Sequence, residues 1–257
     1  MFWSAFKASR KPMDDEVVFA STSDRLTYAI GDIHGRDDLF LKTLNEIRAD
    51  AETLAEKPRL ILLGDYIDRG SRSSDVLERI ISLQAEEWCD LIVLLGNHEL
   101  AFIKFCIDSA YGLAWLDHGG EATLASYGIS TIRDRENPEK WKELQQRTLS
   151  LVPKSHLQLL CDAQIFYVAG DYLFVHGGVK PGVPIEEQSA ETLLLIRDEF
   201  LSSPRASEFV IVHGHSAKEE ASNMQWRIGI DTGAYATGVL TAVRLQGTER
   251  KLIQVRL

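Results

Sequence analysis

Leu26-Thr27-Tyr28-Ala29-Ile30-Gly31-Asp32-Ile33-His34-Gly35 decides how this chain is read. A short apolar run ends at once in Gly-Asp-x-His-Gly, the pattern of a buried strand handing over to a turn that carries a carboxylate and an imidazole. If the chain stays extended past Ile30, Asp32 and His34 project to the same side, two residues apart. The construction then recurs. Residues 59–63 lead into Gly64-Asp65-Tyr66-Ile67-Asp68-Arg69-Gly70, and 91–95 into Gly96-Asn97-His98-Glu99. Residues 172–175 lead into His176-Gly177-Gly178, and 209–212 into His213-Gly214-His215, while a sixth run, 227–230, precedes Asp231. Five of the seven histidines fall in these signatures, so the histidine content is concentrated at strand ends.

Continuous rather than alternating hydrophobicity predicts strands covered on both faces. Helical patterns separate the first three. Asp37-Asp38 places acid in a first turn, with Leu39, Phe40, Leu44 and Ile47 as the apolar face. Ser73 or Ser74 is the expected cap of the next helix, with Val76, Leu77, Ile80 and Ile81 packing inward. After Glu99, residues 100–107 are apolar nearly all round and predict a deeply buried helix. The alternation of strand and helix gives an α/β fold, and such folds place ligand sites at the carboxyl ends of their strands.

The chain has 257 residues, room for one large domain, with an ordinary hydrophobic fraction of 45% and charged fraction of 26%. Its net charge of −10 argues against a general nucleic-acid binder. It does not argue against an anionic substrate, because a local metal site outweighs a distant acidic surface. Cys89, Cys106 and Cys161 form no Cys-x-x-Cys and read as thiols of a reducing, cytoplasmic compartment. No apolar run approaches the roughly 18 residues of a membrane span, and residues 1–11 lack the apolar stretch of a secretory signal. Residues 1–24 read as a flexible leader and 25–257 as a single domain. Within it 108–155, with Trp115, His118-Gly119-Gly120 and a charged segment, reads as a mostly helical insertion beside the site, a partial lid.

The strand ends together offer carboxylate and amide oxygens plus imidazoles, without thiolate. That set suits Mn, Fe or Zn in a five- or six-coordinate site and disfavours Cu(I) or a Ca²⁺ cage.

In this order the signatures resemble the phosphoprotein phosphatases, a branch of the calcineurin-like metallophosphoesterases. Tyr66-Ile67-Asp68-Arg69-Gly70 is similar to the serine/threonine phosphatase branch, and Trp115 with Gly119-Gly120 and Ser126-Tyr127-Gly128 is similar to the bacterial subgroup. The resemblance covers about residues 26 to 235. It implies a sandwich of two mixed β-sheets flanked by helices, with the metal site at the carboxyl edges of the strands. It also implies that Asp32, His34 and Asp65 hold a first divalent metal, and that Asp65 bridges to a second held by Asn97, His176 and His215. Manganese is the expected pair, with iron or zinc as alternatives. His215 is preferred to His213 because it occupies the family's Gly-His position. Arg69 and Arg197 are the expected phosphate clamp, and Asn97 also faces substrate. Two metals about 3.5–4 Å apart lower the pKa of a bridging water, whose hydroxide attacks phosphorus in line. His98, oriented by Asp68, then serves as general acid to the leaving oxygen.

The leading expectation is therefore a cytoplasmic phosphatase of phosphoserine and phosphothreonine in proteins, with looser activity on small phosphoesters and no nucleic-acid or membrane partner. The alternative is a dinucleoside-tetraphosphate or other nucleotide phosphohydrolase. A non-catalytic scaffold of the same fold is disfavoured because His98 and all six ligand positions are filled. Elsewhere His118 reads as a turn cap, His156 as solvent-facing, and Trp88, Trp141 and Trp226 as packing residues. Asp231 either pairs with a site residue or ends the last strand, and Tyr235 is weighed as a residue facing the substrate but is left out of the site set.

Overall fold

The structure is a computed structural model that describes residues 21–257. The leader expected over 1–24 therefore lies outside the described residues apart from its last four. The strands are β1 (Ser23–Ile30), β2 (Arg59–Leu62), β3 (Asp90–Val93), β4 (Phe166–Ala169) and β5 (Tyr172–Val175). They continue as β6 (Val210–His213), β7 (Ser222–Asn223), β8 (Arg227–Gly229), β9 (Val239–Gly247) and β10 (Glu249–Arg256). They form two five-stranded sheets, in the orders β10-β9-β1-β2-β3 and β4-β5-β6-β8-β7. Both sheets are mixed: β1, β2 and β3 are parallel with β9 antiparallel to β1, and β5, β6 and β8 are parallel with antiparallel β4 and β7 at the edges.

Strand alternation divides the core. Ala29, Ile61 and Leu63 face the second sheet and pack with Phe174, Val212 and Ile230. Tyr28, Ile30, Leu60 and Leu62 point the other way, into the layer of helices. Those helices include α1 (Asp37–Leu54) and α2 (Ser73–Gln84), whose inward faces are Leu39, Phe40 and Ile47, and Val76, Leu77 and Ile80. Burial of each such side chain contributes about 1.5–3 kcal/mol. The first-turn Asp37 of α1 is buried and paired with Arg79 and Arg72, so it ties α1 to α2 as well as meeting the helix dipole.

Neither serine caps α2. Its flanking residue is Arg72, while the Ser73 hydroxyl accepts the N–H of Asp68 at 3.1 Å and Ser74 pairs with Ser126. The next helix, α3 (Asn97–Ile107), is buried on one face only, through His98, Glu99, Phe102 and Phe105. Ile107 is 78% exposed, so the expectation of deep burial all round is corrected: the helices that follow cover one side of α3 only.

Beyond it come α4 (Gly112–Trp115), a kinked turn over Leu116–Gly120, α5 (Glu121–Ser126), α6 (Pro138–Leu151) and α7 (Lys154–Asp162). Trp115 anchors this segment by stacking on Phe105 at 5.0 Å. His156 is buried rather than solvent-facing. Its Nε2–H donates to Glu78 and its Nδ1 accepts from the Tyr127 hydroxyl, linking α7, α2 and α5. Short helices α8 (Ala190–Leu195) and α9 (Asp198–Leu201) cover the outer face of the second sheet through Leu193 and Phe200, and α10 (Ala234–Thr237) precedes β9. Among the described residues no helix is long and apolar enough to cross a membrane.

Candidate metal centre

The polar signatures sit just past the ends of β1, β2, β3, β5 and β6, with the His213 signature beginning inside β6, and converge where the two sheets meet. The backbone is unusual there. Of six non-glycine residues in the left-handed region among the described residues, five are His34, Asp65, Asp68, Arg69 and His215, with φ from 45° to 70°. Such conformations cost of order 1–3 kcal/mol each and persist where surrounding structure enforces them. One enforcing group is the buried Glu99 carboxylate. Oε2 accepts the N–H of Asp65 at 2.8 Å and of Gly96 at 3.0 Å, and Oε1 accepts those of Tyr66 at 2.8 Å and Ile67 at 3.2 Å. Close approach also demands glycine: a Cβ on Gly96 would strike Asp65 Oδ1, and one on Gly214 would strike Asp32 Oδ1.

Imidazole donors meet around one carboxylate. His34, Asp65 and His98 offer ligand atoms within 4.8 Å of one another, and so do Asp65, His176 and His215. Asp65 is common to both groups. Tautomers are fixed by the backbone: His34 Nδ1–H donates to the Ile67 carbonyl at 2.8 Å and His176 Nδ1–H to that of Leu63 at 2.9 Å, so both Nε2 atoms turn inward. Burial keeps His34 neutral, pushing its pKa down to about 3, and burial, aided by His176 and Arg197, does the same for His215, again to about 3. Neutral imidazole is the form that ligates metal. Burial opposes ionisation of Asp65, yet the surrounding imidazoles of His176, His98 and His34 hold its carboxyl well below the usual range.

These donors fit divalent cations. His176 Nε2 lies 2.9 Å from Asn97 Oδ1 and 3.4 Å from Asp65 Oδ1. A nitrogen facing two oxygen acceptors needs a proton or a cation between them. Burial disfavours the charged ring, but Asp65 outweighs it and raises His176 to about 10. His215 Nε2 is buried without a hydrogen-bond partner. On the other side, the Arg69 guanidinium donates to His34 Nε2 at 3.0 Å and to His98 Nε2 at 3.1 Å, a cation resting on two inward lone pairs.

Asp32 belongs to neither triplet. Its two carboxylate oxygens each lie 3.1 Å from the backbone N–H of His215, and burial together with Asp231 pushes its pKa well above the usual value. Asp231 thus stands beside a site residue. Arg197 reaches His215 Nδ1 at 3.5 Å. His213, two residues from His215, turns its Nδ1–H to the Gly214 carbonyl and packs edge-on against Phe200, and it joins neither cluster.

Next to these donors lies a carboxylate–imidazole pair. His98 Nδ1–H donates to Asp68 Oδ2 at 2.7 Å. Asp68 is held in turn by the Thr123 hydroxyl at 2.6 Å and by the Trp115 indole N–H at 3.0 Å. Burial disfavours charge on His98, but Asp65 and Asp68 outweigh it and raise its pKa above the ordinary value. The turn carrying Arg69 is fixed by its N–H donating to the Gly119 carbonyl at 3.1 Å, and the guanidinium lies 4.7 Å from the Tyr235 ring. His118 Nδ1–H caps the Ala114 carbonyl at 2.7 Å. Sequence reading assigned no role to Glu99, Trp115 or Thr123, and weighed Tyr235 only as a residue facing the substrate. Only Glu99 carried a local signal, three residues into its helix after Gly96, the position from which a carboxylate folds back on the helix start.

The family described as calcineurin-like phosphoesterase matches residues 26–234. Among curated relatives, the asymmetrical bis(5'-nucleosyl)-tetraphosphatase PrpE of Anoxybacillus flavithermus is 22% identical, over 84% of this chain and 88% of that protein. Serine/threonine-protein phosphatase 2 of Salmonella typhimurium is 24% identical, over 86% of this chain and 94% of the relative. The symmetrical bis(5'-nucleosyl)-tetraphosphatase of Acidovorax sp. is 31% identical over 63% of this chain, which spans about half (47%) of that relative's length. A Saccharomyces cerevisiae protein serine/threonine phosphatase shares the fold, with a TM-score of 0.51 at 15% identity over 92% of this chain and 81% of the other.

Proposed function

The chain belongs to the calcineurin-like phosphoesterase family, and from that premise we propose that it is a metal-dependent phosphomonoester hydrolase of phosphoserine and phosphothreonine in proteins. In this reading Asp32, His34 and Asp65 hold one divalent ion, and Asp65, Asn97, His176 and His215 a second, with manganese the native pair. The observation that carries it is the sharing of Asp65 between two sets of inward-facing imidazoles. Bound there, the ions supply Lewis acidity and a water of lowered pKa.

The chain's own residues then divide the remaining work. Arg69 lies against His34, and Arg197 against His215. Guanidinium matches two phosphate oxygens at once, so a phosphate competes for the N–H groups that Arg69 now gives to His34 and His98. Withdrawal of Arg69 onto the phosphate frees His98 Nε2 to carry a proton. Asp68 favours the charged ring, and His98 delivers the proton from Nε2 to the departing alkoxide oxygen, worth roughly 10²–10⁴ in rate. Trp115 and Thr123 keep the Asp68 carboxylate aimed at the imidazole. The surrounding frame is read as one domain over 25–257, with 108–155 inserted beside the site, in a cytoplasmic protein whose cysteines stay free.

A second reading, a dinucleoside-tetraphosphate hydrolase, is favoured by the names of two of the relatives. Asp68-Arg69 supports the first. A side-by-side assay of a phosphoserine peptide and a dinucleoside tetraphosphate, with Mn²⁺, Fe²⁺ and Zn²⁺ each supplied, separates them. The first reading expects the peptide to have the higher kcat/KM, and a preference for the tetraphosphate overturns it.

A further inference from the structure

Arg69, one arm of the proposed phosphate clamp, rests its guanidinium against three groups: His34 Nε2 at 3.0 Å, His98 Nε2 at 3.1 Å and the ring of Tyr235, whose centroid is 4.7 Å away. The Tyr235 ring also stands edge-on to the His34 imidazole, with centroids 5.4 Å apart and planes at 84°. The backbone of Tyr235 is tied to the turn after β1, the one that carries Asp32 and His34. Arg36, paired with Asp38, donates to the Ala234 carbonyl at 2.9 Å, and Asp231 accepts the Gly233 N–H at 2.9 Å. The Thr237 hydroxyl braces α10 by donating to the Thr232 carbonyl at 2.8 Å. A fixed piece of backbone thus delivers the ring to Arg69, although 41% of the residue is exposed.

The three contacts differ in what they demand of the cation. Each imidazole nitrogen takes an N–H of the guanidinium, and both nitrogens have other work in the proposed reaction, His34 as a ligand and His98 as the acid. The aromatic face attracts the cation electrostatically without taking an N–H group. Its hold is therefore compatible with bidentate donation to two phosphate oxygens, and the two imidazole contacts are not. We propose that Tyr235 is a positioning residue for the phosphate clamp, its ring keeping the Arg69 guanidinium in place as the N–H groups turn from His34 and His98 to the phosphate. The inference rests on the phosphomonoesterase reading above and adds what orients its clamp. The ring face carries the role, not the hydroxyl, and it acts on Arg69 rather than on the substrate.

The test is the affinity for inorganic phosphate, by titration calorimetry of the Mn²⁺-loaded protein, in wild type, Tyr235→Phe, Tyr235→Leu, Arg69→Gln and the double variant Arg69→Gln with Tyr235→Leu. Tyr235→Leu should weaken phosphate about two- to fivefold, the size of an exposed cation–π contact, and Tyr235→Phe, which keeps the ring, should bind as wild type does. In the Arg69→Gln background Tyr235→Leu should have no further effect, because the group it acts through is gone. Each Tyr235 variant should keep the metal content of wild type by elemental analysis. Weakening by Tyr235→Phe as large as by Tyr235→Leu, no weakening by Tyr235→Leu, or the same weakening with and without Arg69 overturns the proposal. Metal loss in Tyr235→Leu also overturns it, since the ring would then act through His34. The expected order of affinities, in a protein that hydrolyses no phosphoserine peptide with Mn²⁺, Fe²⁺ or Zn²⁺, keeps the role of Tyr235 and refutes the phosphomonoesterase reading alone. No measurable phosphate binding by wild type overturns both.

Discussion

The carboxylate of Glu99 accepts the backbone N–H of Asp65 at 2.8 Å, joining the first turn of α3 to the turn after β2. The same carboxylate holds Tyr66, Ile67 and Gly96, so one buried side chain fixes the left-handed conformation at Asp65 and the start of the helix that presents Asn97 and His98. Glu99→Gln replaces one acceptor oxygen with a donor and leaves buried N–H groups unsatisfied. Urea unfolding of the metal-free protein should show a loss of about 3 kcal/mol with an unchanged slope. An unmoved midpoint would separate Glu99 from the support of this turn.

Proton delivery is tested at His98. His98→Asn should keep its metal content and lose two orders of magnitude or more in kcat on an alkyl phosphate. Trp115→Phe keeps the stack on Phe105 but removes one donor to Asp68, and kcat should fall by less, about three- to tenfold, with metal content unchanged. An unchanged kcat in His98→Asn would remove that residue from the mechanism.

Arg197 is tested by product inhibition. If it clamps phosphate, Arg197→Ala should raise the inhibition constant of inorganic phosphate about tenfold, the value of a charge-assisted hydrogen bond near the exposed edge of the site. An unaltered constant returns Arg197 to the surface.

Stability at acid pH is tested far from the centre. Burial alone would raise the Asp50 carboxyl, but hydrogen bonds from Tyr28 and Arg244 outweigh it and hold the group below its ordinary 3.8. A carboxyl depressed on folding stabilises the protein above its unfolded pKa, and that contribution disappears as pH falls through the folded value. Asp50→Asn should therefore lower stability at pH 7 and flatten the loss of stability below about pH 4. Equilibrium unfolding at stepped pH reads both, and an identical acid limb in the variant counts against the network.

The strand-end motifs were legible because each is a contiguous string in which ligand types directly follow an apolar run. Those strings also located β1, β2, β5, β6 and β8 to within a residue or a few at each end. What escaped was long-range. Trp115 and Thr123 meet Asp68 across 47 and 55 residues, and nothing local marks them as its partners. β9 was hidden by Thr241 and Arg244, polar residues in an otherwise apolar run. Both are buried, Thr241 beside the Thr232 hydroxyl and Arg244 between Asp50 and Glu249. β10 intersperses exposed charged and polar residues among its apolar ones as an edge strand, so it never formed the continuous apolar run that marks a central one. The all-apolar run of α3 misled because the helices that follow pack against one side of it only and leave Ile107 exposed on the other.

The account turns on Asp65 as the carboxylate common to two metal positions. Elemental analysis of wild-type protein equilibrated with Mn²⁺ and desalted should give two ions per chain, and Asp65→Asn, folded by circular dichroism, should retain neither in full and lose hydrolysis with them. Two ions per chain in Asp65→Asn would contradict it.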